Sequence, residues 1–92
     1  MEQTELLVVK VGTTSLTKDG LLDQSRFDDL ANQILDLPSG LGVVVVTSAA
    51  ISAGAAELGV DRRDFEGDVD GLSMLASVGQ PLIMGRWRQA FH

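Results

Sequence analysis

The sequence has no cysteine, one histidine, and seven lysines and arginines against thirteen aspartates and glutamates. Without cysteine there is no disulfide framework, no thiolate metal site and no cysteine nucleophile, and a reducing compartment is favoured. The one histidine, His92, stands at the end of the sequence and is too peripheral to act as a general base, which disfavours a serine nucleophile as well. A net charge of −6 leaves no basic stripe to displace phosphate counterions, so no nucleic-acid partner is expected. No apolar run approaches the roughly 20 residues of a membrane span, so no membrane partner is expected either. Met1 leads into Glu2-Gln3-Thr4-Glu5 without a basic or apolar leader, and a cytoplasmic location is the default expectation.

Familiar ligand motifs are missing too. There is no G-x-G-x-x-G dinucleotide fingerprint. Gly54 to Gly59 has Walker A spacing, but Val60-Asp61 follows where Lys and Ser or Thr are required. Glu66 to Gly71 alternates oxygen-bearing residues like the start of a calcium loop, yet it begins with Glu and has Ser77 where the bidentate Glu belongs. It reads as a solvated acidic loop, and no metal site is assigned.

What is present fits one small α/β domain of 92 residues, 45% hydrophobic. A chain of this size buries only about 60–65% of its unfolded surface, which leaves little room for a large cleft. Leu6 to Val11 is an apolar strand. Lys18-Asp19-Gly20 makes a tight turn. Phe27, Leu30, Ala31, Ile34 and Leu35 give the i, i+3, i+4, i+7, i+8 pattern of a helix over Ser25 to Leu37, with Asp23 or Ser25 as cap and Pro38-Ser39-Gly40 as stop. Gly42 to Val46 is a second strand. Strand, helix, strand predicts a right-handed crossover and a parallel pair. Ser48 to Leu58 predicts a helix ended by Gly59, and Asp61 to Gly71 a loop. A last helix from Asp68 or Asp70 carries Leu72, Leu75, Ala76, Ile83, Trp87 and Phe91, with Pro81 expected to kink or split it.

The chemistry gathers where each strand opens into hydroxyl-rich sequence. Lys10 ends the first apolar run, either as a point charge for a phosphoryl group or as the polar residue of an alternating strand. Gly12-Thr13-Thr14-Ser15 is an anion-cradling turn or an ordinary capped one. Ser48 meets a ligand or caps the following helix, and capping is the commoner role. Arg62, Arg63, Arg86 and Arg88 read as surface charges, with Trp87 on the inner helix face.

Three blocks in order resemble the glutamate 5-kinase family, within the amino acid kinases. They are Val8-Val-Lys-Val-Gly-Thr-Thr-Ser-Leu-Thr17, Val43-Val-Val-Val-Thr-Ser-Ala-Ala-Ile-Ser-Ala-Gly54, and Ala76-Ser-Val-Gly-Gln-Pro-Leu-Ile-Met84 with Trp87 and Phe91. The resemblance implies part of an α/β/α sandwich with parallel strands and crossover helices. Residues 1–92 would be its N-terminal, glutamate-side portion, without the nucleotide-binding half. It also implies ATP-dependent phosphorylation of L-glutamate to γ-glutamyl phosphate, the first step of proline biosynthesis, with ATP and Mg²⁺ as cofactors. By position, Lys10 matches the catalytic lysine at the ATP phosphates, Gly12 and Thr13 the phosphate-side turn, and Ser48, Ala49 and Ala50 the glutamate-binding segment.

Two residues depart from that pattern. Ala49 replaces the family's usual glycine, and if the position needs positive φ or close approach to a ligand the methyl costs on the order of 1 kcal/mol and crowds the site. Pro81 falls where the family's helix continues. A metal site, a nucleotide pocket and a second cationic clamp are not supplied by these residues, so the chain by itself is expected to be inactive. Sheet edges left unpaired predict self-association into a homo-oligomer, or poor order in isolation. Two alternatives stay open: a noncatalytic assembly module derived from such a kinase, and a related kinase acting on another carboxylate, a carbamate or a phosphate.

Overall fold

The computed structural model describes residues 5–92. Strand β1 (Leu6–Val11) leads through a 3-10 turn (Thr13–Ser15) into a short hairpin of β2 (Thr17–Lys18) and β3 (Leu21–Leu22). Helix α1 (Gln24–Leu35), strand β4 (Gly42–Thr47), helix α2 (Ala50–Leu58), a 3-10 turn (Arg62–Phe65) and helix α3 (Val69–Ala90) follow. β1 and β4 pair in parallel, from Leu6 opposite Gly42 to Val11 opposite Thr47, so the strand, helix, strand pattern has the expected outcome. The class is α/β, as the sequence predicts.

Local chemistry accounts for the element ends. Asp23 caps α1 by accepting from the Ser25 amide at 3.1 Å and the Ser25 hydroxyl at 2.7 Å. Asp68 caps α3 by accepting from the Gly71 amide at 2.9 Å. Gly59, with φ 69°, closes α2. Asp19 and Gly20 both take positive φ, as a two-residue hairpin turn requires.

One core forms on one face of the β1–β4 pair. Val9, Val11 and Val45 alternate toward it, and Phe27 of α1, Ala53 of α2, and Ile83 and Trp87 of α3 fill it together with Leu16 and Ala49. Phe27 and Trp87 meet edge to face with ring centres 5.0 Å apart. The opposite side chains, Leu6, Val8, Val44 and Val46, lie on a face that the described residues leave open; Leu6 is 63% exposed and Val8 58%.

α2 and α3 are in close contact because Gly54 and Gly79 carry no side chain. A Cβ on Gly79 would collide with the Ala50 carbonyl, and one on Gly54 with the Leu75 carbonyl. That close seam decides the fate of Pro81. Of the two outcomes expected at Pro81, a kink or a split, the split does not occur: α3 runs as one helix through Pro81, whose ring sits on the exposed side. The lost hydrogen bond leaves a carbonyl near solvent, while the buried row of Leu75, Gly79, Ile83 and Trp87 holds the helix together.

Candidate functional site

The parallel register brings the carboxyl ends of β1 and β4 to the same level, with Lys10 opposite Val46 and Val11 opposite Thr47. Ligands of open α/β sheets gather at such ends. Beyond β4, the Ser48 amide donates to the Val11 carbonyl at 3.1 Å, continuing the ladder by one rung. The Ser48 hydroxyl lies 3.4 Å from that same carbonyl and 3.4 Å from the Thr13 hydroxyl. Two strand-to-turn junctions, thirty-five residues apart in sequence, therefore present adjacent hydroxyls.

Ser48 does not cap α2, although capping is the commoner role for a serine there. The capping position is Ala49, at φ 84° and ψ 0°, and no side chain bonds to the helix start. The first intrahelical bond runs from the Ala53 amide to the Ala49 carbonyl at 2.9 Å. The amides of Ala50, Ile51 and Ser52 thus have no partner within the helix, and the positive end of its dipole faces the same region. Ala49 holds a left-handed conformation that glycine adopts without penalty, which makes its methyl a real cost.

Thr13, Ser48, Ala49 and Ala50 are among the residues that line a cleft of about 300 Å³. Ile51 and Ala76 are its apolar lining, and Arg62 is its cation. Gly12 leads into the Thr13 turn but does not line the cleft. Lys10 does not line it either. It occupies the next-to-last position of β1, exposed, on the face opposite Val11, and makes no ion pair among the described residues. The sequence-selected residues thus divide into a cleft group and a cation at the same end of the sheet.

Arg62, read from the sequence as a surface charge, is exposed and also lines this cleft. Its Nη1 donates to the Ser52 hydroxyl at 3.0 Å, which holds the side chain across the first turn of α2. Its neighbour Arg63 is committed elsewhere, to the Asp61 carboxylate at 2.7 Å. Hydrogen bonds from the Arg63 side chain and amide hold the Asp61 carboxyl down at about 2. Asp61 directly precedes the arginine pair, a pattern that could have shown which of the two is occupied.

Among the described residues no carboxylate lines the cleft. Its hydroxyls, open amides, helix dipole and guanidinium favour an anion. Among the described residues, no three His, Asp or Glu side chains group to hold a metal ion, and no helix is long and apolar enough to cross a membrane.

Comparison with known proteins bears on the family of the chain. The model of the amino acid kinase family matches residues 5–92. The glutamate 5-kinase of Mycolicibacterium vanbaalenii is 42% identical over 87 residues, covering 92% of this chain and 23% of that protein. That of Rhodopirellula baltica is 37% identical over 92 residues, covering 98% and 23%. That of Thermus thermophilus is 41% identical over 86 residues, covering 92% and 23%. The chain spans about a quarter of the length of these relatives.

Proposed function

We propose, for a chain that belongs to the amino acid kinase family, that it forms the glutamate-side portion of a site phosphorylating L-glutamate. The observation that carries this is the convergence of Thr13 and Ser48 beside the uncapped start of α2. Relatives bearing the name glutamate 5-kinase supply the substrate.

In this reading the γ-carboxylate of glutamate lies against the Ser48 hydroxyl and the amides that open α2. One carboxylate oxygen attacks the terminal phosphorus of ATP, a P–O bond forms, and the bond to the ADP oxygen breaks to give an acyl phosphate. Two anions must meet, and fixed dipoles with one positive charge make their approach tolerable. Lys10 serves as that charge at the nucleotide phosphates, with Gly12 and Thr13 offering amide and hydroxyl donors. ATP, when bound, supplies the phosphoryl group. Mg²⁺ is different: the cleft offers no carboxylate, and the donors present suit phosphate oxygens, so no step is assigned to a metal on these residues.

Calorimetric titration tests the reading. L-Glutamate is expected to bind the chain, and Ser48→Ala to weaken it about three- to tenfold, the worth of one hydrogen bond. Lys10→Ala is expected to leave glutamate binding intact and weaken ATP binding. Glutamate affinity indifferent to Ser48→Ala would contradict the assignment.

The open sheet face favours a second reading, an assembly module. Leu6, Val8, Val44 and Val46 form an apolar strip on two strands with unpaired outer edges among the described residues. Self-association abolished by Val8→Glu, in a chain that binds no glutamate, would support this reading over the first.

A further inference from the structure

We infer that Arg62 is the specificity-determining residue of the Thr13–Ser48 cleft, its guanidinium receiving the α-carboxylate of a dicarboxylic amino acid whose other carboxylate lies at Ser48. The inference rests on the glutamate-site reading above and names a further recognition group for it.

Arg62 is the only cation among the residues lining this cleft. The adjacent Arg63 is not available, because its Nε lies 3.1 Å from both Asp61 carboxylate oxygens and its Nη2 2.7 Å from one of them. Arg62 is bound instead to a neutral hydroxyl. The 3.0 Å bond from its Nη1 to Ser52 uses one donor and fixes the side chain against α2, and among the described residues no carboxylate pairs with its charge. A guanidinium has five donors in a planar fork that matches a carboxylate.

The rest of the cleft fits the same ligand. Ser48 and the open amides of α2 provide one anion-receiving point, and Arg62, in the same lining, provides a second. Ile51 and Ala76 belong to that lining and suit a short methylene chain. A ligand with one carboxylate would use only one of these two points. The discrimination therefore comes from the charge that Arg62 would otherwise leave unmatched.

The test is a cycle of two ligands and three proteins, read by calorimetry: L-glutamate and 4-aminobutyrate, which lacks the α-carboxylate, against the unaltered chain, Arg62→Gln and Arg62→Lys. Arg62 is exposed, and circular dichroism melting of each variant checks that the fold is kept. Arg62→Gln is expected to weaken glutamate binding about ten- to hundredfold and leave 4-aminobutyrate unchanged. Arg62→Lys is expected to recover part of the loss, since it keeps the charge without the fork. If the unaltered chain binds glutamate and Arg62→Gln binds it equally well, or loses both ligands to the same degree, this inference is overturned while the glutamate-site reading stands. If the unaltered chain binds no glutamate, both are overturned.

Discussion

The hydroxyls of Thr13 and Ser48 stand 3.4 Å apart across thirty-five residues of chain, and neither serves to cap a helix. Parallel pairing of β1 with β4 makes them neighbours, since Val11 and Thr47 end their strands at one level. The cleft is a consequence of register, and its chemistry follows from which residues come next in sequence.

Ser48 is therefore expected to matter for ligands and not for folding. Its hydroxyl makes only long contacts at an exposed position. Ser48→Ala should shift stability by no more than about 0.5 kcal/mol, the range of surface substitutions. Urea unfolding of the variant beside the parent checks this, and a substantially larger loss would show that Ser48 is structural.

Gly79 is expected to behave in the opposite way. Its Cβ would enter the Ala50 carbonyl, which belongs to the backbone at the helix start and cannot turn aside like a side chain. Gly79→Ala should destabilise by about 1–3 kcal/mol through overpacking, despite alanine's better helix propensity. The exposed Gly85 has nothing within reach of a Cβ, so Gly85→Ala should be neutral or stabilising. Comparing their urea midpoints separates helix propensity from the close α2–α3 contact.

Ala49 sets two costs against each other. Its φ of 84° strains an L-residue by about 1–2 kcal/mol, whereas its methyl is buried in the core and contributes about 0.8 kcal/mol there. Ala49→Gly should consequently change stability by less than about 1 kcal/mol, while the β-branched Ala49→Val should lose at least about 2 kcal/mol. Denaturation of both variants checks the pair; equal effects would mean that φ does not control this position.

The acid limb of stability is expected to depend on Asp61. Its folded pKa, about 2, lies below the ordinary 3.8, so its contribution is present above about pH 4 and is lost as pH falls through 2. Hydrogen bonds from Ser25 lower Asp23 in the same direction. Asp61→Asn should lower the urea midpoint above about pH 4, where the contribution is present, and flatten its fall between pH 4 and pH 2. Added salt should shrink the difference, because both partners face solvent.

Much of this architecture was legible in the residues. The spacing of Phe27, Leu30, Ala31, Ile34 and Leu35 gave α1, and two apolar runs joined by a helix gave the parallel pair. Asp19-Gly20 and Gly59 marked their turns. What could not be read depended on tertiary packing. Pro81 looks like a break by local rules, yet α3 continues because its inner face is held by α2. The Thr17–Lys18 and Leu21–Leu22 hairpin is too short for alternation to reveal. Ser48 looked like a cap because helix-cap statistics see only the following residues, not the Val11 carbonyl and Thr13 hydroxyl brought in by the sheet. Arg62 and Arg63 looked alike, and only the pairing of Asp61 with the second distinguishes them. The glycine that Ala49 replaces leaves two readings, positive φ or close approach to a ligand, and the structure shows the positive φ.

The central claim is that the ends of β1 and β4 serve one anionic ligand pair. Amide-resolved nuclear magnetic resonance of the chain, titrated with L-glutamate and separately with ATP, tests it most directly. Saturable shifts are expected at Ser48 to Ser52 with glutamate and at Lys10 to Thr13 with ATP, with Thr13 responding to both. Shifts confined to other surfaces, or none at either strand end at millimolar ligand, would contradict it.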